Sequence, residues 1–272
     1  MADSSPFEVR SGGVTIAGET LGEGPDVVLM HGLTATRRYT VMGSKALPRA
    51  GYRLTTFDAR GHGESSPAPE RRAYEYRDMV EDVGAVLEHL GASSAAIGGA
   101  SMGAHTAMAY ALAFPERVSA LVAITPAYDG DPRDDPDALA EWDRLADGLE
   151  RGGVEGFLEA YNPQVDERFR ETVLTVTRQR LERHRHPEAV ADALRVVPRS
   201  LAFEGMEELE HVQIPTLVVA SRDEADPGHP YAVGEAWSER LPDARLVTEE
   251  RGKSPLAWQG ARLSKEIAEF LG

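Results

Sequence analysis

The stretch from Gly99 to Gly103, with the sequence GASMG, constrains this chain more than any other, because it joins an apolar segment to a helix-forming one. Residues 95–97 (AAI) before it are typical of a buried strand, and residues 104–113 after it favour a helix. A serine on so sharp a turn projects its hydroxyl away from the sheet, and glycines on either side allow the turn without Cβ clashes. Ser101 is therefore predicted to be a nucleophile.

Four further segments repeat the pattern of an apolar strand followed by a polar loop. VVLM at 27–30 leads into HGL at 31–33, and TTFD at 55–58 leads into ARGHGES at 59–65. TLVVAS at 216–221 leads into RDE at 222–224, and ARLVT at 244–248 leads to GKSP at 252–255. With GASMG, and in this order, the segments resemble the α/β-hydrolase family over nearly the whole chain.

The resemblance implies an α/β fold with a mostly parallel eight-stranded sheet and helices on both faces. Alternating strand and helix patterns agree with it. Between about 126 and 211 the strand signal disappears, and residues 138–149, 154–161, 166–184 and 187–196 predict helices. We therefore expect a hydrolase core at residues 1–125 and 212–272 and an inserted helical cap at residues 126–211.

The family pattern assigns a role to several positions. It implies that the backbone amides of Leu33 and Met102 form an oxyanion hole for the group attacked by Ser101. The family places the catalytic acid three residues after the small residue that ends the strand, and counting from Ser221 gives Glu224. Asp223 and Asp226 are the alternatives if the loop is aligned differently. A carboxylate there normally orients a histidine base.

The chain departs from the pattern at the base, where Lys253 occupies the position of the histidine. A lysine with an unperturbed pKa near 10.4 costs about 4.6 kcal/mol to deprotonate at pH 7, so it is a poor base unless burial or another cation lowers its pKa. The sequence leaves three arrangements open. Lys253 forms an ion pair with Glu224 or Asp223, or it forms a serine-lysine dyad with Ser101, or His229 replaces it as the base.

A basic run lies inside the predicted cap and comprises Arg178, Arg180, Arg183, His184, Arg185 and His186. We expect a solvated helix end whose cations interact with the helix dipole. The alternative is a rim that attracts anions to the pocket.

Composition excludes several function classes. The net charge of −16 repels nucleic-acid backbones and anionic membranes, so neither partner is expected. The absence of cysteine excludes disulfides, thiolate metal ligands and a cysteine nucleophile. No cofactor or metal is expected, and the amino terminus lacks the pattern of a secretory signal, which favours a cytoplasmic protein. The oligomeric state is left open.

These observations predict an enzyme that hydrolyses a small ester, lactone, thioester or amide through Ser101, with an atypical or impaired base. Two alternatives remain, because one fold hosts many activities. A lyase or cyclase of a small metabolite would use the pocket without an acyl-enzyme. A ligand-binding protein would keep the pocket and lack the chemistry.

Overall fold

The strands of the chain assemble into one sheet. The computed structural model describes residues 4–131, 133, 135–222 and 224–272. Within them the strands are β1 (Ser5–Ser11), β2 (Val14–Leu21), β3 (Asp26–Met30), β4 (Arg53–Phe57), β5 (Ala95–Ala100), β6 (Val118–Ile124), β7 (Thr216–Ala220) and β8 (Ala244–Thr248). Their order across the sheet is β1-β2-β4-β3-β5-β6-β7-β8. Pairing is antiparallel from β1 to β2 and from β2 to β4, and parallel at every later step.

Helices connect the parallel strands. They are α1 (Ala46–Arg49), α2 (Tyr76–Leu90), α3 (Met102–Ala113), α4 (Pro136–Ala160), α5 (Glu167–Leu181), α6 (Pro187–Val196), α7 (Tyr231–Arg240) and α8 (Gly260–Leu271). The predicted mostly parallel eight-stranded sheet with helices is confirmed. Among the described residues, no helix combines the length and the apolar character that crossing a membrane requires.

The central strands form where short apolar runs are covered on both faces. Val27, Val28 and Leu29 in β3 are fully buried, as are the middle residues of β7. Parallel strands with helices on both sides need such continuous apolar segments rather than alternating ones. The helix α2 shows how the sequence sets an element's ends, because a capping box of Glu75 and Asp78 begins it and Gly91, with φ of 65°, ends it.

Between β6 and β7 lies a helical insertion, defined here as Pro136–Val196 and comprising α4, α5 and α6. The two helices predicted at 138–149 and 154–161 form the two segments of α4, which are separated by a kink at Gly153, where φ is 59° and ψ is −144°. The insertion packs onto the core, because Leu145 and Phe157 share a buried apolar cluster with Leu33 and Met102. It therefore lies against the loops at the carboxyl edge of the sheet, where α/β proteins bind ligands.

Candidate active site

Ser101 sits in a strained turn between β5 and α3. Its φ of 52° and ψ of −114° lie outside the regions that a serine normally adopts. Such strain costs about 1–3 kcal/mol and persists where the surroundings hold it. Here the N–H of Ser101 donates to the carbonyl of Ile124 at 2.9 Å, and its carbonyl accepts from Ala104 at 2.8 Å. The side chain is half-buried, so its hydroxyl remains accessible.

The two glycines of the turn are required by close packing. A Cβ added to Gly99 would lie 2.6 Å from the carbonyl oxygen of Met30, and one added to Gly103 would also lie 2.6 Å from it. Neither glycine has a positive φ, which falls on Ser101 itself. The glycines thus allow β3 and the start of α3 to approach each other. The unusual backbone conformation of the turn is that of Ser101.

Two backbone amides beside this turn are available to a ligand. Met102 opens α3, and its N–H donates to no acceptor among the described residues, nor does the N–H of Leu33. The loop after β3 lies close to the serine, because a Cβ added to Gly32 would be 3.5 Å from the Cβ of Ser101. The first amides of a helix also carry the positive end of its dipole.

Buried histidines hold the loop that carries Leu33. His31 accepts the N–H of Ala59 at Nε2, which leaves Nδ1 to donate to the carbonyl of Gly32 at 2.8 Å. Burial lowers the pKa of His31 well below its usual value, so the ring is neutral. Nε2 of His62 lies 2.6 Å from the carbonyl oxygen of Leu33. These two histidines position the loop rather than react.

The enclosed space nearest to the turn is small. A cavity of about 10 Å³ is lined by Met30, Met102, Gly103 and neighbours on α2, and not by Ser101. This volume is close to the minimum for one water molecule.

The residues predicted as acid and base do not come together. Lys253 is exposed, and it forms no ion pair with Glu224 and no hydrogen bond with Ser101. Glu224 is exposed too, and its carbonyl accepts the N–H of Asp166 at the start of α5. Asp223 lies outside the described residues. Neither a Lys253–Glu224 ion pair nor a serine-lysine dyad is formed.

The structure instead pairs His229 with Asp226, the alternative acid. Nδ1 of His229 lies 2.9 Å from Oδ1 of Asp226, in the loop that follows β7. Burial lowers the pKa of His229, but the charge of Asp226 and its hydrogen bond outweigh burial, and the pKa is raised overall. No described residue, Ser101 included, forms a hydrogen bond with Nε2 of His229, so this nitrogen is free to exchange a proton.

Another histidine, His105, lies in the first turns of α3. Its Nε2 has a backbone partner, and its buried Nδ1 has none among the described residues. The N–H of Ala127 donates to its Nε2 at 3.0 Å, and its ring stacks on Tyr128 at 3.8 Å between centroids. Burial, with the nearby charge of His229, lowers the pKa of His105 to about 3. The N–H of His105 also donates to the carbonyl of Ser101 at 3.1 Å. The effect of His229 on the pKa of His105 therefore places His229 near the helix that begins after the serine.

Comparison with known proteins agrees with this fold. The family model described as alpha/beta hydrolase fold matches residues 25–214. The chain belongs to this family. Members that it resembles in sequence include epoxide hydrolase B of Mycobacterium tuberculosis, which is 36% identical over 108 residues, 40% of this chain and 30% of that protein. The chain thus spans less than a third of that relative.

Two longer matches extend the comparison. A 2-hydroxy-6-oxononadienedioate/2-hydroxy-6-oxononatrienedioate hydrolase of Pseudomonas putida is 30% identical over 212 residues, 75% of this chain and 73% of that protein. A thermophilic esterase from Thermogutta terrifontis, solved with malate bound, is 25% identical, covers 98% of both chains and has a TM-score of 0.78. The α/β hydrolases that this chain resembles thus include an epoxide hydrolase, a dienedioate hydrolase and an esterase.

A buried carboxylate that the sequence did not single out joins the last two loops of this α/β hydrolase. Glu249 follows β8 and is 1% exposed. One of its oxygens accepts the N–H of Arg222 at 2.6 Å, and the other accepts the N–H of Leu256 at 3.0 Å. Glu249 therefore fixes the loop after β7, which carries Asp226 and His229, to the end of β8. Its signal in the sequence is only that of an acidic residue after a strand.

Proposed function

We propose that this α/β hydrolase hydrolyses a small ester, lactone, thioester or amide, with Ser101 as nucleophile and His229 as general base. Asp226 would orient His229, and the amides of Leu33 and Met102 would bind the oxyanion. The observation that carries the proposal is the strained backbone of Ser101 at the first turn of α3. Such strain is held where a side chain must be presented at an unusual angle.

The proposed base rests on three properties of His229. It has a carboxylate partner at Nδ1, an unpartnered Nε2, and a location that affects the pKa of His105 on the helix that begins after Ser101. A serine hydroxyl needs a base whose pKa is near the working pH, and a histidine with a modestly raised pKa meets this need. Lys253 is exposed, and Glu224 has no histidine partner among the described residues. The proposed mechanism therefore uses neither side chain.

The chemistry would follow two steps. Oγ of Ser101 attacks the carbonyl carbon while its proton passes to Nε2 of His229, and the imidazolium then protonates the leaving group. A water molecule next gives a proton to His229 and attacks the acyl-enzyme, which releases the acid and restores Ser101. Residues 126–211 would act as the cap that surrounds the substrate. A cytoplasmic location stays a prediction.

The test is covalent labelling together with turnover. We expect a serine-directed fluorophosphonate to label Ser101, as mapped by mass spectrometry of proteolytic peptides, and 4-nitrophenyl esters to be hydrolysed. Ser101→Ala should lose both label and activity, whereas Ser254→Ala, a change at an exposed serine, should keep both. Turnover that survives Ser101→Ala would instead favour a lyase or cyclase. Binding of small acyl compounds without any turnover would favour a ligand-binding protein.

A further inference from the structure

Five members of the basic run in the helical insertion have a hydrogen-bond or ion-pair partner among the described residues, and Arg180 has none. Arg178 forms an ion pair with Glu155, Arg185 with Glu64, and His186 with Glu188. Arg183 donates to the hydroxyl of Tyr39 at 3.4 Å, and His184 accepts the N–H of Gly63 at 2.9 Å. Arg180 forms no hydrogen bond or ion pair with any residue in the described part of the chain.

Arg180 lies in the last turn of α5 and is half-buried. Its Nε is buried without a hydrogen-bond partner. A guanidinium stays charged in proteins. An N–H group that is buried without a hydrogen-bond partner costs about 1–3 kcal/mol. Burial lowers even the pKa of Arg180, against the opposing effects of Tyr161, Asp226 and Tyr39. A ligand that reaches the guanidinium would supply a partner for this N–H.

The surroundings of Arg180 belong to the proposed active site. Its charge acts on His229 and on His184, and Nε2 of His184 lies 3.2 Å from the carbonyl oxygen of Thr34, next to Leu33. Arg180 is therefore close to both the candidate base and the loop that carries one oxyanion amide. It forms no ion pair with Asp226, which is occupied by His229.

Two phenol groups face the same region. Tyr39 comes from the loop after β3, and Tyr161 ends α4; both are half-buried and both interact with the charge of Arg180. The hydroxyl of Tyr161 forms no hydrogen bond with any other described residue. A guanidinium with a phenol O–H beside it is a set of donors that suits an oxyanion with two coplanar oxygens.

Charge distinguishes between the anions that could bind. Arg180 supplies one positive charge, and Asp226 nearby supplies a negative one. A phosphate monoester carries a charge of about −1.5 to −2 at pH 7, which this balance disfavours. A carboxylate carries one charge and matches the fork of the guanidinium.

We propose that Arg180 binds a carboxylate of the substrate, so that the preferred substrates are esters or lactones that bear a free carboxylate away from the reacting carbonyl. This rests on the proposed function for its place in catalysis, but the binding of the carboxylate does not require turnover.

The experiment compares matched substrates in the full chain. The mono-4-nitrophenyl esters of succinate, glutarate and adipate each have an uncharged counterpart in a 4-nitrophenyl alkanoate of equal chain length. We expect the kcat/KM of the unmodified protein to favour at least one charged ester by about 10- to 100-fold, the range for a hydrogen-bonded charged group. Arg180→Met should reduce this ratio to about one, and Arg180→Lys should give an intermediate ratio, because an ammonium lacks the fork.

Arg178→Met is the matched control, since it removes an exposed arginine two positions away that pairs with Glu155. It should leave the ratio unchanged. Melting temperatures of Arg180→Met, Arg180→Lys and Arg178→Met show whether each variant folds. If Arg180→Met does not fold, the ratio measured for Arg180→Lys tests the proposal. A ratio near one in the unmodified protein, or a ratio that survives Arg180→Met, would overturn the proposal while leaving the hydrolase assignment intact.

A binding measurement separates the two proposals. Glutarate, with inorganic phosphate as the comparison anion, is titrated calorimetrically into Ser101→Ala and into the Ser101→Ala, Arg180→Met double variant. Binding of glutarate that needs Arg180, with no turnover of any ester by the unmodified protein, would support the carboxylate site and refute the hydrolase proposal. Tighter binding of phosphate than of glutarate, or no dependence of glutarate binding on Arg180, would refute the carboxylate site.

Discussion

Replacement of His229 by alanine decides which group serves as the base. His229 combines a carboxylate partner at Nδ1 with a free Nε2 in the loop after β7, whereas Lys253 is exposed to solvent. Loss of a general base slows a reaction by about 100- to 10,000-fold. That range corresponds to about 2.7–5.4 kcal/mol of transition-state stabilisation. We therefore expect kcat/KM for 4-nitrophenyl esters to fall by this factor in His229→Ala.

The structure predicts that the fold survives this change. The side chains of His229 and Asp226 are 26% and 18% exposed, so water can solvate the carboxylate that loses its partner. The matched controls are His211→Ala, at an exposed histidine, and Lys253→Ala. Both should retain activity within about twofold of the unmodified protein, as surface changes usually do. Unchanged activity in His229→Ala, or a large loss in Lys253→Ala, would refute our choice of base.

The pH dependence follows from the raised pKa of His229. A general base acts in its neutral form, so activity should fall as the pH drops below this pKa, which lies above the ordinary histidine value. Asp226→Asn removes the charge that raises the pKa, and the acidic limb of the profile should move to lower pH. A histidine whose pKa is raised by folding also stabilises the fold. That contribution is complete below the pKa of the unfolded histidine and is lost as the pH rises through the folded value.

Three further changes test the framework around the site by urea unfolding. Gly103→Ala should destabilise the fold by about 1–3 kcal/mol, because its Cβ would lie 2.6 Å from a carbonyl oxygen of β3, whereas Gly84→Ala, with open space around it on α2, should not. Glu249→Gln should cost about 1–3 kcal/mol, since an amide cannot accept both N–H groups through its two ends. Arg60→Met should cost about 3–5 kcal/mol, because it leaves the 1% exposed carboxylate of Asp82 without its two bonds from the guanidinium. Equal stability of the two glycine variants, or an unchanged free energy of unfolding in either other variant, would contradict the packing described above.

The sequence predicts the central sheet well because buried parallel strands need short apolar runs. The bounds of β8 match residues 244–248, and β7 differs from its predicted range by one residue. The amino-terminal hairpin is not evident from the same pattern, because β1 is largely exposed and its side chains are mixed. The break predicted between residues 149 and 154 falls at Gly153, whose backbone angles are not helical and which separates the two segments of α4.

The candidate site is less predictable because it depends on contacts between loops. A family pattern locates Ser101, Leu33 and Met102 by local sequence, because each of these positions follows the end of a strand within three residues. Asp226 and His229 appear in the sequence only as alternatives among nearby polar residues. Their hydrogen bond depends on the conformation of the whole loop. Arg180 stands within a basic run, and helical spacing alone does not tell which member lacks a partner among the described residues.

The double hydrogen bond of Glu249 has a consequence for how this chain can vary. Glu249 and Leu256 flank residues 250–255, and the carboxylate of Glu249 accepts the N–H of Leu256. Its second bond, from the N–H of Arg222, fixes the same point to the loop after β7. We expect the exposed positions between these anchors, apart from Gly252 with its φ of 76°, to tolerate substitution without moving the ends of the strands. Lys253 lies at the centre of that segment, in a position where the fold places little demand on the side chain. The loop is therefore a suitable site for grafting a different catalytic group or a recognition sequence into this scaffold.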